Sequence, residues 1–247
     1  KEKGNFDYLM GADIDLNNFD VVAELKKWGR WYLNFTGING FRLDAVKHIR
    51  TEFFPEWLGF LRHESGKALF SVGEYWSANV DTLLKYLEKV DNCMTLFDVP
   101  LHYNFYRASI SNGEFNMNEI FDGTLVEAKP ESAVTFVDNH DTEPGQALES
   151  FILDWFKPLA YSLILLRKDG LPTVFYGDYF GIPTKQIDSK SEILDIILNV
   201  RKNYAYGEQY DYFDDKNVIG FTRIGDTEHI NSGVAVIMSD GVGGRKV

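Results

Sequence analysis

Within "GFRLDAV", residues 40–46, Arg42 and Asp44 sit two positions apart among the apolar anchors Phe41, Leu43 and Val46. Side chains two apart on a strand share one face, so the pattern predicts a cation and an anion side by side on a buried strand. Burying an ion pair costs desolvation. The guanidinium nevertheless holds the carboxylate ionised, and an ionised, positioned carboxylate can act as a nucleophile. A core salt bridge satisfies the same pattern. Glu74, in "VGEYW", is the next candidate. The aromatic residues Tyr75 and Trp76 follow it, and apolar surroundings with nearby anions favour its protonated form. A protonated Glu beside an ionised Asp is the acid–nucleophile pairing of a retaining glycosidase; a capping Glu is the plainer alternative. "FVDNHD" adds Asp141, with His140 beside it. Two acids and a His also suit a metal hydrolase, but no HxH or HxxxH spacing supports that.

These residues need a scaffold, and strand and helix signals alternate along the chain. Val21, Leu25, Trp28, Tyr32 and Phe35 fall at helical spacing, which predicts a helix over 20–35 that stops at Gly37. Phe54, Trp57, Leu58 and Leu61 form a second stripe, ended by Gly66. The strands expected are "GINGFRLDAV", "KALFSVGEYW" ending at Glu74, "CMTLFDVPL", "SAVTFVDNHD" and "LPTVFYGD". Helices are expected near 79–89, in two pieces over 103–122, over 148–168 with a kink or split at Pro158, and over 189–203 with Ile193, Ile196, Ile197 and Val200.

Such alternation implies an α/β fold with parallel pairing through right-handed crossovers. An open doubly wound sheet and a (β/α)8 TIM barrel both fit. Polar residues at the carboxyl ends of several strands favour the barrel: Asp44, Glu74, Asp98, Asp141 and Asp178. In a barrel those ends converge on one site. After Tyr206, "YDYFDD", "NVIGFTRI" and "SGVAVIMSDG" read as short antiparallel strands, so an all-β domain is expected to begin near 205.

A net charge of −12 without any Lys/Arg run lacks the electrostatic footprint of a nucleic-acid binder. Cys93 is the single cysteine, which excludes an intrachain disulfide and a Cys-based zinc site. The longest apolar run is far shorter than a membrane span. No G-x-G-x-x-G follows a strand, which argues against a Rossmann-type binding protein.

"GFRLDAVKH", "VGEYW" and "FVDNHD", in this order, resemble three hallmark segments of the α-amylase family of glycoside hydrolases, and in particular its liquefying bacterial members. "FDYLMGADID", "FDVPLHYNF", "DWFKPLAYSLILLR", "VFYGD" and "YAYGEQYDYFD" extend the resemblance over nearly the whole chain. It implies a (β/α)8 barrel and retaining cleavage of internal α-1,4 bonds in starch, glycogen and maltooligosaccharides. A transglycosylase of the same family, or a non-catalytic fragment, are the alternatives. By resemblance, Asp44 is the nucleophile, Glu74 the general acid/base and Asp141 the transition-state stabiliser. Arg42, Lys47, His48, His140 and Trp76 are substrate contacts. Asp7, Asp13 and the His48 carbonyl are implied as ligands of a structural calcium, and Asp15 of a sodium or second calcium.

Asp13, Asp15, Asn17 and Glu24 also fall at EF-hand positions, but Asn18 stands where the sharp turn wants Gly. The corresponding organisation is 1–19 as the end of an inserted calcium-binding segment, 20–205 as the later half of the barrel and 206–247 as the start of the all-β domain. The chain therefore reads as a piece of a longer enzyme, expected to be inactive and aggregation-prone alone. An α-glucan is the partner expected, with no nucleic acid, no membrane and a monomeric state. The compartment, extracellular or cytoplasmic, is left open.

Overall fold

The computed structural model describes residues 14–241 and 243–245. Helix α1, Phe19–Thr36, starts where the Asn18 side chain accepts the Asp20 N–H and ends where Gly37 turns left-handed at φ 69°. Its buried line differs from the stripe expected. Gly29 and Leu33 are buried, whereas Trp28 and Phe35 are 47% and 75% exposed. The reason is close packing on α2, Phe53–Ser65. A Cβ at Gly29 would stand 2.8 Å from the Trp57 ring, so only glycine lets the two helices approach there. Trp57 Nε1–H also donates to the Leu25 carbonyl at 3.0 Å. Helix α2 buries Phe54, Trp57, Leu58 and Leu61 and stops at left-handed Gly66, as its sequence predicts.

The described residues up to Ser77, with Asp81–Phe97, form one compact unit; Ala78–Val80 and the residues from Asp98 onward form another. In the first, β1 (Gly40–Leu43), β2 (Phe70–Gly73) and β3 (Thr95–Phe97) run parallel, and α3 (Val80–Lys89) joins the last two. Leu43 lies opposite Gly73, and Gly73 opposite Leu96. A Cβ on Gly73 would sit 2.8 Å from the Met94 sulfur and 3.0 Å from Leu96, so the backbone before Glu74 is packed to contact.

In the second unit, α4 (Val99–Ile110) and the short α5 (Leu125–Ala128) precede β4 (Ala133–Thr135), which pairs in parallel with β5 (Leu171–Pro172). Helix α6 is Lys157–Leu166, α7 Tyr176–Phe180 and α8 Ser191–Asn203. Three differences from the sequence reading stand out. Pro158 lies in the first turn of α6 and kinks nothing, because a helix start has no need of its missing N–H. Only Leu171–Pro172 of "LPTVFYGD" is strand, and Tyr176–Phe180 is helical. In α8 the buried residues are Leu194 and Ile197, while Ile196 is exposed. The antiparallel strands β6 (Gln209–Tyr212), β7 (Val218–Arg223) and β8 (Val234–Ser239) form a sheet in that order, as the change of pattern after Tyr206 predicts.

Candidate active site

Two of the candidate carboxylates follow neighbouring strand ends. Glu74 N–H donates to the Leu43 carbonyl at 2.8 Å, and Val46 N–H donates to the Glu74 carbonyl at 3.0 Å. Hydrogen bonding between the two segments thus runs past both strands, with the Glu74 backbone bonded to the residues on either side of the Asp44–Ala45 pair. Ala45 then turns left-handed at φ 46°, a region that L residues enter at a cost. That turn brings the Ala45 N–H within 2.9 Å of Glu74 Oε2. The backbone after one acid therefore holds the side chain of the other. A short 3-10 turn, Val46–His48, follows, with the Val46 side chain fully buried. Tyr86 O–H donates to its carbonyl at 3.3 Å.

Arg42 donates to Asp44 Oδ1 at 2.9 Å, so the pair exists as the two-residue spacing implies. The expectation that it is buried fails: the side chains are 39% and 73% exposed. Among the described residues β1 is an edge strand paired only with β2, and nothing described covers the side of it that carries this pair. Lys47 and His48 are exposed, and Trp76 is half-buried. Lys47 Nζ donates to the Trp76 carbonyl at 3.4 Å, tying the segments after β1 and β2.

The third carboxylate belongs to the second unit and stands on a turn beyond β4. Asn139 Oδ1 accepts the N–H groups of Asp141 and Thr142 at 2.8 and 3.0 Å. Asn139 N–H in turn donates to Thr142 Oγ1, at 3.0 Å. The turn presents His140 and Asp141 outward, 63% and 39% exposed, with His140 Nε2 3.4 Å from Asp141 Oδ2. Beneath it lies a buried cluster that sequence reading missed. Thr142 Oγ1–H donates to Asp138 Oδ1 at 2.8 Å. Lys157 Nζ lies 3.0 Å from Asp138 Oδ2 and also bonds Asp178 Oδ1, and Tyr161 O–H donates to Asp178 Oδ2 at 2.6 Å. Lys157, Asp138 and Asp178 expose 1% or less of their side chains. Burial pushes the Asp138 carboxyl up from its usual range, against the pull of Lys157.

Asp98 and Asp178, expected to line the site with the other strand-end acids, are scaffold. Both are fully buried. Asp98 caps α4 through the Leu101 N–H and also accepts the N–H groups of Leu125 and Val126 that open α5. Its carboxyl is pushed up to about 6 by burial, which those three donors oppose. Adjacent sequence shows at most the cap on Leu101, since the other two donors stand 27 and 28 positions downstream.

The acids at the ends of β1 and β2 and the acid–His turn after β4 occupy the motifs that the sequence singled out. Residues 5–206 match the family described as the catalytic domain of alpha amylase. The chain belongs to the α-amylase family. Over 245 residues it is 55% identical to an alpha-amylase of Geobacillus stearothermophilus, an alignment covering 99% of this chain and 45% of that protein. It is 54% identical to a glucan 1,4-alpha-maltohexaosidase of Bacillus sp. (strain 707), covering 99% and 47%. The chain thus spans about half the length of the curated relatives it matches. The crystal structure of the Geobacillus thermoleovorans alpha-amylase complexed with acarbose superposes with a TM-score of 0.70 at 18% identity, over 93% of this chain and 54% of that one. The fold is accordingly that of the α-amylase catalytic domain, with parallel strands and helices of the TIM-barrel type, followed by a three-stranded antiparallel sheet.

Calcium is a common companion of this family, but the described residues do not make up its cage. Asp7 and Asp13 lie outside them. Asp15 Oδ1 accepts the Asn17 N–H at 2.9 Å and its side-chain amide at 3.1 Å, an Asx-type turn closed on itself. Among the described residues no three His, Cys, Asp or Glu side chains gather around one point.

Proposed function

We propose that this α-amylase-family chain carries catalytic residues for retaining endo-hydrolysis of α-1,4-glucosidic bonds in starch, glycogen and maltooligosaccharides. The observation that carries the reading is the shared ladder at the ends of β1 and β2. Asp44 and Glu74 directly follow two paired parallel strands, whose usual spacing is about 4.8 Å; this supports a retaining pair, which needs carboxyl groups about 5–5.5 Å apart.

In the first step the Asp44 carboxylate attacks the anomeric carbon as the bond to the leaving oxygen breaks, and Glu74 gives that oxygen its proton. In the second, Glu74 takes a proton from water, whose oxygen displaces Asp44 from the sugar. Both steps pass through oxocarbenium-like states that anions stabilise. Arg42, 2.9 Å from Asp44 Oδ1, orients the nucleophile. By the family resemblance Asp141 is the transition-state stabiliser and His140 a donor to sugar hydroxyls; the turn held by the Asn139 side chain, which leaves both partly exposed, supports this. Lys47, His48 and Trp76 contact the bound glucan.

Glu74→Gln in the protein that carries this chain tests the assignment. Turnover of maltooligosaccharide should fall about 10²–10⁴-fold, the usual worth of a general acid–base, while oligosaccharide binding is kept. Near-normal turnover removes Glu74 from its role. NMR of the first product should show the α-anomer; the β-anomer refutes double displacement. Products longer than the substrate mark a transglycosylase.

A further inference from the structure

The chain is acidic overall, yet the charged residues lining one cavity in its second unit are all cations. It measures about 510 Å3; five of its eight lining residues are Lys or Arg and none is acidic. Two of the five are rigid. Arg201 donates to the Leu165 carbonyl, and Arg223 donates to the carbonyls of Gly207 at 3.0 Å and Leu166 at 3.3 Å. The Leu165 and Leu166 carbonyls lie at the end of α6 and that of Gly207 just before β6, so both guanidinium groups bond neutral oxygens. Arg167 differs, being already paired with Asp211. The other two cations, Lys168 and Lys202, are exposed and form no ion pair among the described residues.

Four positive groups thus surround one hollow without a carboxylate partner among its walls. Crowding shows at Arg223, whose pKa is lowered first by burial and then by Arg201; Asp169, Arg167 and Asp226 act more weakly and in both directions. A doubly charged anion would relieve that repulsion and take up the donors left over. Guanidinium and ammonium groups in this number match the oxygens of a phosphate better than a single carboxylate.

We propose that this cavity binds a phosphate group, as inorganic phosphate or as the phosphomonoester of a sugar. Lys168 and Lys202 supply the movable ammonium donors, and Arg201 and Arg223 the fixed positive wall. The cavity's lining includes none of the residues assigned to hydrolysis, so the proposal stands or falls on its own.

Calorimetric titration with inorganic phosphate, then with glucose 6-phosphate, at pH 7.5 and constant ionic strength, tests it on the whole protein. Saturable binding is expected, about tenfold weaker or more in the Lys168→Ala/Lys202→Ala double variant. Both lysines are exposed, so that variant should melt within about 2 °C of wild type without phosphate and hydrolyse maltooligosaccharide normally. Tighter binding of glucose 6-phosphate than of phosphate identifies a phosphomonoester as the ligand; equal binding identifies free phosphate. No saturable heat, undiminished binding by the double variant, or competition by sodium chloride as effective as phosphate itself would each overturn the proposal.

Discussion

Lys157→Met is the sharpest test of how the Asp141 turn is held. The ammonium sits 3.0 Å from Asp138 Oδ2 and bonds Asp178 as well, all three side chains being buried. Methionine keeps most of the aliphatic volume but leaves two carboxyl groups facing each other without a cation. Removing one partner of a buried pair costs about 3–5 kcal/mol. At about 2–4 °C per kcal/mol for a domain of this size, the melting temperature should fall by roughly 6–20 °C. The loss should depend on pH in a definite direction. Asp138 already has its folded-state pKa raised by burial, with Lys157 the main influence pulling it down. Without Lys157 the folded value rises further above the unfolded one of about 3.9. A raised acid favours the native state at low pH and loses that favour as pH rises through the folded value. The variant's deficit should therefore be larger at pH 8 than at pH 5. Thermal unfolding followed by circular dichroism at the two pH values measures it. Equal melting temperatures, or a deficit larger at pH 5, would refute the reasoning. A triple variant that also carries Asp138→Asn and Asp178→Asn should recover part of the loss, because it buries no unpaired charge.

Two further outcomes follow from the scaffold. Ala45→Gly removes the cost of the left-handed turn at φ 46° and leaves the N–H that reaches Glu74, whereas Ala45→Val should destabilise by about 1–2 kcal/mol in urea titrations; a neutral valine would show the turn to be unstrained. Asp98→Asn sets amide hydrogens against one of three backbone donors and should cost about 1–3 kcal/mol. Because the wild-type carboxyl is raised to about 6, its ionisation lowers wild-type stability as pH climbs from about 4. The Asn variant's deficit should then be larger at pH 5 than at pH 8, and urea midpoints showing the opposite order would discard the argument.

Local signals reached the elements that depend on local physics. Gly37 and Gly66 mark helix ends because only a left-handed residue closes those turns cheaply, and the stripe from Phe54 to Leu61 is buried as its spacing requires. The sides of α1 and α8 were harder to read. Which apolar face is covered depends on what packs there, and Gly29 outcompetes the aromatic residues because it admits Trp57. Acids posed the same difficulty. Asp44, Glu74, Asp98 and Asp178 are all carboxylic acids near strand ends, yet the first is exposed and Asp98 and Asp178 are sealed in. What separates them is a partner distant in sequence, such as Lys157, 21 positions before Asp178. Pairing of Arg42 with Asp44 was legible because it spans two residues; its exposure was not, since that is decided by the neighbour of β1.

The bonds that join Leu43, Glu74, Ala45 and Val46 bear on tolerance to substitution. They are made by backbone amides and carbonyls, with the Glu74 carboxylate as the one side-chain partner, so replacing neighbouring side chains leaves the donors and acceptors of this junction in place.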